Sequence, residues 1–183
     1  MSRMITGIIL LMTMGFCGCG LSQYNTDDID GGVKTYNSGE DSPKVIESTE
    51  IISFEFEASL YNIVLEEESE LIGRNYKLSA VLEEGAVKSK IKWRDRSGVG
   101  EEYDFTADAS FMTSLQEIVS KYNFAQYNGY ISTVSGLPDM YGAKLDINYA
   151  SGEGIYAYDN QNVFLPFEKI EEVVRFFNSA YAE

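Results

Sequence analysis

Apolar residues recur at every second position in six separate stretches after residue 50, and this alternation constrains the fold more than any other feature. Ile52, Phe54 and Phe56 alternate with Ser53, Glu55 and Glu57. Tyr76, Leu78, Ala80 and Leu82 alternate with Lys77, Ser79 and Glu83, and Glu84-Gly85 marks a turn. Val87, Ile91 and Trp93 then alternate with Lys88, Lys90, Lys92 and Arg94. After Ser97-Gly98, Tyr103 and Phe105 alternate with Glu102 and Asp104. Ala143, Leu145, Ile147 and Tyr149 form a fifth stretch, and Ile155 and Ala157 a sixth beyond the Ser151-Gly152 turn. A period of two places one row of side chains on each face of a half-buried strand.

Two segments have helical period instead. Phe111, Leu115, Ile118, Val119 and Tyr122 fall on one face after Asp108, a residue suited to capping. Phe167, Ile170, Val173, Val174, Phe177 and Tyr181 form the inner stripe of a C-terminal helix, with Pro166 at its first turn. The order is four strands, a helix, two strands, a helix, with no internal repeat. It predicts a two-layer α+β fold: an antiparallel sheet of about five to six strands with two helices on one face. The Lys88–Lys92 row sits between strands whose outer faces carry Glu83, Glu102 and Asp104. Cross-strand ion pairing accounts for it without a basic ligand site.

The N-terminal residues read differently. Arg3 precedes an apolar run from Ile5 to Phe16, and Phe16-Cys17-Gly18-Cys19-Gly20 follows. A basic start, a short apolar stretch and small residues at its exit make a secretory signal. The run is about a dozen residues, short of the roughly 20 that span a bilayer as a helix. Cys19, with Gly18 before it and Gly20-Leu21-Ser22 after it, resembles the lipobox of bacterial lipoproteins. Phe16 stands where that motif usually has Leu. The resemblance implies cleavage before Cys19, acylation of its thiol and anchoring in the lipid bilayer at the extracytoplasmic face of the membrane. More than one acyl chain makes such an anchor durable. Cys17 would leave with the signal, so the mature domain would carry no thiol and no disulfide. Asn128-Gly129, Ser135-Gly136-Leu137-Pro138-Asp139 and Tyr149-Ala150-Ser151-Gly152-Glu153 are similar to small uncharacterised lipoproteins of Gram-positive gut bacteria. That similarity carries no activity with it.

Residues 19–48 are rich in Asp, Asn, Gly and Ser and show no period, which predicts a flexible acidic tether. The chain thus divides into a signal (1–18), a tether (19–48) and one α+β domain (49–183). Thr26-Asp27-Asp28-Ile29-Asp30-Gly31 partly resembles a calcium loop, but Thr26 and Asn37 stand at the first and last ligand positions.

Composition excludes several chemistries. There is no histidine, the usual acid–base group near neutral pH and the commonest metal ligand. Without His or a free thiol, Ser-His-Asp and Cys-His systems are ruled out within the domain, and zinc sites with N/S ligands are not expected. No catalytic residue, metal or cofactor is expected. Net charge is −15, with 29 acidic against 14 basic residues, which repels nucleic acid.

The candidate ligand-binding residues lie in the long segment from Tyr127 to Tyr141 and the hairpin beside it. They are Tyr127, Asn128, Tyr130, Asp139, Asp146, Asn148, Tyr156 and Tyr158. Aromatic faces with Asn and Asp suit a glycan or a peptide. The expected function is a non-enzymatic, membrane-anchored binding module whose partner is an envelope glycan, peptide or protein. The alternatives are a carboxylate-dependent enzyme on envelope sugars, drawing on Asp139, Asp146, Glu153 and Asp159, and a module that depends on divalent cations.

Overall fold

The computed structural model describes residues 32–61, 71–137 and 141–182, and the backbone of 25–29. The strands are β1 (Asn25–Ile29), β2 (Gly32–Asn37), β3 (Ile51–Ser59), β4 (Asn75–Glu83), β5 (Ala86–Arg94) and β6 (Gly100–Asp108), then β7 (Ile131–Val134), β8 (Ala143–Tyr149) and β9 (Gly154–Asp159). The helices are α1 (Ser110–Lys121), between β6 and β7, and α2 (Phe167–Ala182), at the end of the described chain. A short 3-10 turn covers Phe124–Tyr127. The fold is α+β, as the alternation predicts.

The sheet is larger than expected and is not purely antiparallel. Among the described residues nine strands run in the order β1-β2-β7-β9-β8-β3-β4-β5-β6, and the β7–β9 pair is parallel. All six alternating stretches are strands. The additional ones, β1, β2 and β7, lack the pattern. β7 has only four residues, and β2 has one aliphatic residue, Val33, which is exposed. β1 pairs with the adjacent β2, and β2 is placed by a partner distant in sequence, β7, Lys34 opposite Val134 through Asn37 opposite Ile131.

The segment 19–48 is therefore not simply a tether. Beyond β2, residues 38–48 lie against the domain as a strap. Pro43 O accepts from Asn128 Nδ2 at 3.0 Å, and Lys44 Nζ donates to Asn128 O at 2.5 Å. Glu153 accepts the backbone N–H groups of Glu47 and Ser48, both at 3.0 Å. At Gly39 a Cβ would fall 2.5 Å from Asn128 O, so the strap and the 128–130 loop meet backbone to backbone. A domain boundary at residue 49 cuts through this docked segment. Cys19 and the signal residues lie outside the described residues.

One face of the sheet carries the core. Phe54, Phe56, Leu78, Ile91, Leu145 and Ile147 are buried beneath both helices. The Phe177 ring of α2 packs on Phe54 and Phe111, which joins the helices to the sheet and to each other. The expected cap, Asp108, sits one residue before the observed N-cap, Ala109, and accepts the Ser110 N–H at 2.8 Å. Ile52 departs from the predicted row. Pairing with β8 shifts between Ile51 and Ser53, so Ile51 enters the core and Ile52 is 37% exposed.

The opposite face has no described helix on it and is laced with charge. Lys77 pairs with Glu55 and Glu57, Lys144 with Glu55 and Asp146, and Lys90 and Lys92 with Glu102. Lys90 and Lys92 are thus used across to β6 as expected, Lys90 also reaching Asp104 at 3.3 Å, whereas Lys88 donates to the Thr106 hydroxyl. Hydrogen bonds from Lys90 and then Lys92 pull the Glu102 carboxyl from 4.5 down to about 2. A carboxyl lowered on folding adds stability that is complete above its unfolded value and lost as pH falls towards its folded one. Glu102→Gln should therefore flatten the dependence of the urea midpoint on pH between about 4.5 and 2. Added salt should weaken the effect, because the group is exposed. A Glu102→Gln profile that superimposes on the parent's in that window would refute this.

Candidate functional site

The uncovered face is most varied at β8 and β9. Two cross-strand rows end there on a tyrosine. Lys77, Glu57, Lys144 and Tyr158 stand opposite one another across β4, β3, β8 and β9. Ser79, Glu55, Asp146 and Tyr156 form the next row. Asn148 extends the patch, donating to Ser53 Oγ at 3.0 Å and Asp146 Oδ1 at 3.1 Å. Tyr156 is 40% exposed. Lys144, and then Lys77, hold the Glu55 carboxyl below its ordinary range against the opposing effect of burial.

A cleft of about 260 Å³ opens where these strands end. Glu57, Ser59, Asn75, Lys144, Tyr158 and Asn160 are among its lining residues. Its ionic groups are already matched, Glu57 by Lys77 at 2.5 Å and Lys144 by Glu55 at 2.5 Å. Alternation alone gave no reason to single out Glu57, Ser59, Asn75, Lys144 or Asn160. They converge only because β3, β4, β8 and β9 end side by side. The signal that did point here was the pair of tyrosines two apart on β9.

The structure divides the candidate residues. Asp146, Asn148, Tyr156 and Tyr158 share the uncovered face. Tyr127, Asn128 and Tyr130 lie on the helical side and hold the fold together. The Tyr127 hydroxyl accepts from Lys169 Nζ at 3.1 Å, and its ring stacks at 5.7 Å from Phe164. Asn128 is buried between the strap and β9, its Oδ1 accepting Tyr156 N–H at 2.9 Å. Tyr130 donates to Asp159 Oδ2 at 3.1 Å, and its ring contacts Tyr36 and Phe164. Burial, then the Asp159 charge, push the Tyr130 hydroxyl up to about 12, so it remains a donor at neutral pH. Asp139 lies outside the described residues.

The carboxylates proposed for an enzyme do not form a pair among the described residues. Asp146 faces outward beside Lys144, while Asp159 points to the helical side and binds Gln161 N, Asn162 N and Tyr130 Oη. Glu153 clamps the strap. No cluster of three or more metal-ligating acidic residues occurs among the described residues. No described helix is long and apolar enough to cross a membrane. Compared with known proteins, the chain matches no family model and no curated sequence.

Proposed function

We propose that this protein is a non-enzymatic binding module held at the extracytoplasmic face of the cell membrane through an acylated Cys19. Its ligand is a polar, largely uncharged group, a sugar unit of an envelope glycan or a polar peptide residue, seated in the cleft beside Tyr158. The observation that carries this reading is the placement of Tyr156, Tyr158, Asp146 and Asn148 on one sheet face that no described helix covers, with Tyr158 lining a polar cleft at its end. Because the charges of the cleft are internally paired and Asn160 is spent on Val134, recognition falls to hydrogen bonds from Asn75 and to contact with the Tyr158 ring. A volume of about 260 Å³ lies below the roughly 300–1,000 Å³ of drug-sized sites and suits a single sugar or side chain. The lipobox-like sequence supports the address, and the absence of histidine supports binding without turnover.

The test is titration of the full chain with soluble cell-wall glycan fragments and short polar peptides, followed by amide NMR shifts. Saturable shifts on β8 and β9 are expected, with affinity falling about tenfold, or 1.4 kcal/mol, in Tyr158→Ala. In cells, Cys19→Ala should move the protein out of the membrane fraction. No saturation with any fragment, or unchanged affinity in Tyr158→Ala, sinks the ligand reading. Retention of Cys19→Ala in the membrane sinks the anchor.

A further inference from the structure

At the far end of the sheet from the β1 edge, β6 is an edge strand of nine residues. Among the described residues no strand lies outside it. The Asp95 N–H to Val99 C=O bond sets the phase of the β5–β6 ladder. The backbone groups of Glu101, Tyr103, Phe105 and Ala107 therefore turn towards β5, and those of Glu102, Asp104 and Thr106 turn outward. That free row matches what an added strand requires.

The side chains specify which strand. Glu102 and Asp104 stand on the uncovered face, with the Asp104 side chain 72% exposed. On the helical side, Tyr103 and Phe105 lie under Tyr181, which is 46% exposed and stacks on Tyr103 at 4.6 Å. An incoming strand thus meets carboxylates on one face and an aromatic shelf on the other. β5 already satisfies the same strand from its inner side, with Lys88, Lys90 and Lys92 on one face and Val87, Ile91 and Trp93 on the other. A second copy of β6 does not fit. Antiparallel pairing centred on Tyr103 sets Glu102 against Asp104, and pairing centred on Asp104 sets it against itself, and like charges directly opposite repel.

We propose that the β6 edge binds an extended peptide segment of alternating apolar and basic residues, which adds as a tenth strand. Its basic side chains reach Asp104 and Glu102, and its apolar ones cover Tyr103 and Tyr181.

The probe is a synthetic peptide with the β5 sequence, AVKSKIKWR, titrated into the full chain by fluorescence polarisation. One-to-one saturable binding is expected, weakening with salt. A scrambled peptide of the same composition should bind at least about tenfold more weakly, because alternation is lost. Thr106→Pro removes an outward N–H, no backbone bond to β5 and only the exposed contact of its hydroxyl with Lys88, so it should abolish binding while leaving the melting temperature close to the parent's. Asp104→Lys should weaken binding about tenfold by reversing one cross-strand pair. Equal binding of the scrambled peptide, or parental affinity in both Thr106→Pro and Asp104→Lys, overturns the proposal. So does the absence of saturable binding.

Discussion

A chain beginning at residue 49 should melt roughly 8–16 °C below one beginning at residue 32, a loss of about 4 kcal/mol at the 2–4 °C per kcal/mol usual for this size. The first term is β2, whose removal exposes the backbone edge of β7 over four residue pairs. The second is the strap. Asn128 is buried, and without Pro43 its Nδ2 loses its acceptor, which costs about 1–3 kcal/mol for a group cut off from water. Ile46, packed against the core, leaves a gap beside it. The bonds from Glu47 and Ser48 to Glu153 add less, because they are exposed or only partly buried. Circular dichroism melts of the two chains decide the matter. Equal midpoints would mean that the strap only rests on the surface.

This result bears on what a sequence discloses. Six strands and both helices were legible because each carries its own period and buries its own row of side chains. β2 was not, because Gly-Val-Lys-Thr-Tyr-Asn contains too little apolar surface to order itself. Besides the adjacent β1, its partners are β7, about a hundred residues away, and the Tyr130 ring. The parallel β7–β9 pair was equally hidden, since only the crossover that brings two short segments together creates it. The charge lattice on the uncovered face was legible in part, because alternating Lys and alternating Glu on successive hairpin strands must meet.

The candidate residues follow the same logic. Tyr156 and Tyr158 stood out correctly as outward side chains of a strand. Tyr127, Asn128 and Tyr130 looked alike in composition but serve structure. Their partners, Pro43, Lys169 and Asp159, lie outside the window in which local spacing is informative. A glycine signalled the difference only in retrospect. Gly129 marks a turn in the sequence, while in the fold a Cβ there would strike Ser42 of the strap.

Asp159→Ala should destabilise the protein by about 4 kcal/mol, a second effect of that size from a single side chain. Asp159 is 1% exposed. Its Oδ1 accepts the N–H groups of Gln161 and Asn162, each at 2.8 Å, and its Oδ2 accepts the Tyr130 hydroxyl. Truncation removes the carboxylate that all three donors share at the end of β9, where the chain turns towards α2. Asn160, whose side chain bonds both the N–H and the C=O of Val134, would loosen with it, and β7 would follow. Tyr130→Phe removes one donor rather than the acceptor of all three and should cost only about 1 kcal/mol. In the double variant the two effects should fall short of their sum, because the hydroxyl no longer has a partner to lose. Urea unfolding of the four chains measures this. Asp159 also touches the cleft, so the same variants separate two roles. If Asp159 served turnover, Asp159→Asn would keep the parent's stability and abolish a reaction on envelope sugars. If it serves the fold, Asp159→Asn should fall between the parent and Asp159→Ala in stability, because an amide oxygen can replace only part of what the carboxylate accepts. Parental stability in Asp159→Ala would refute the structural assignment.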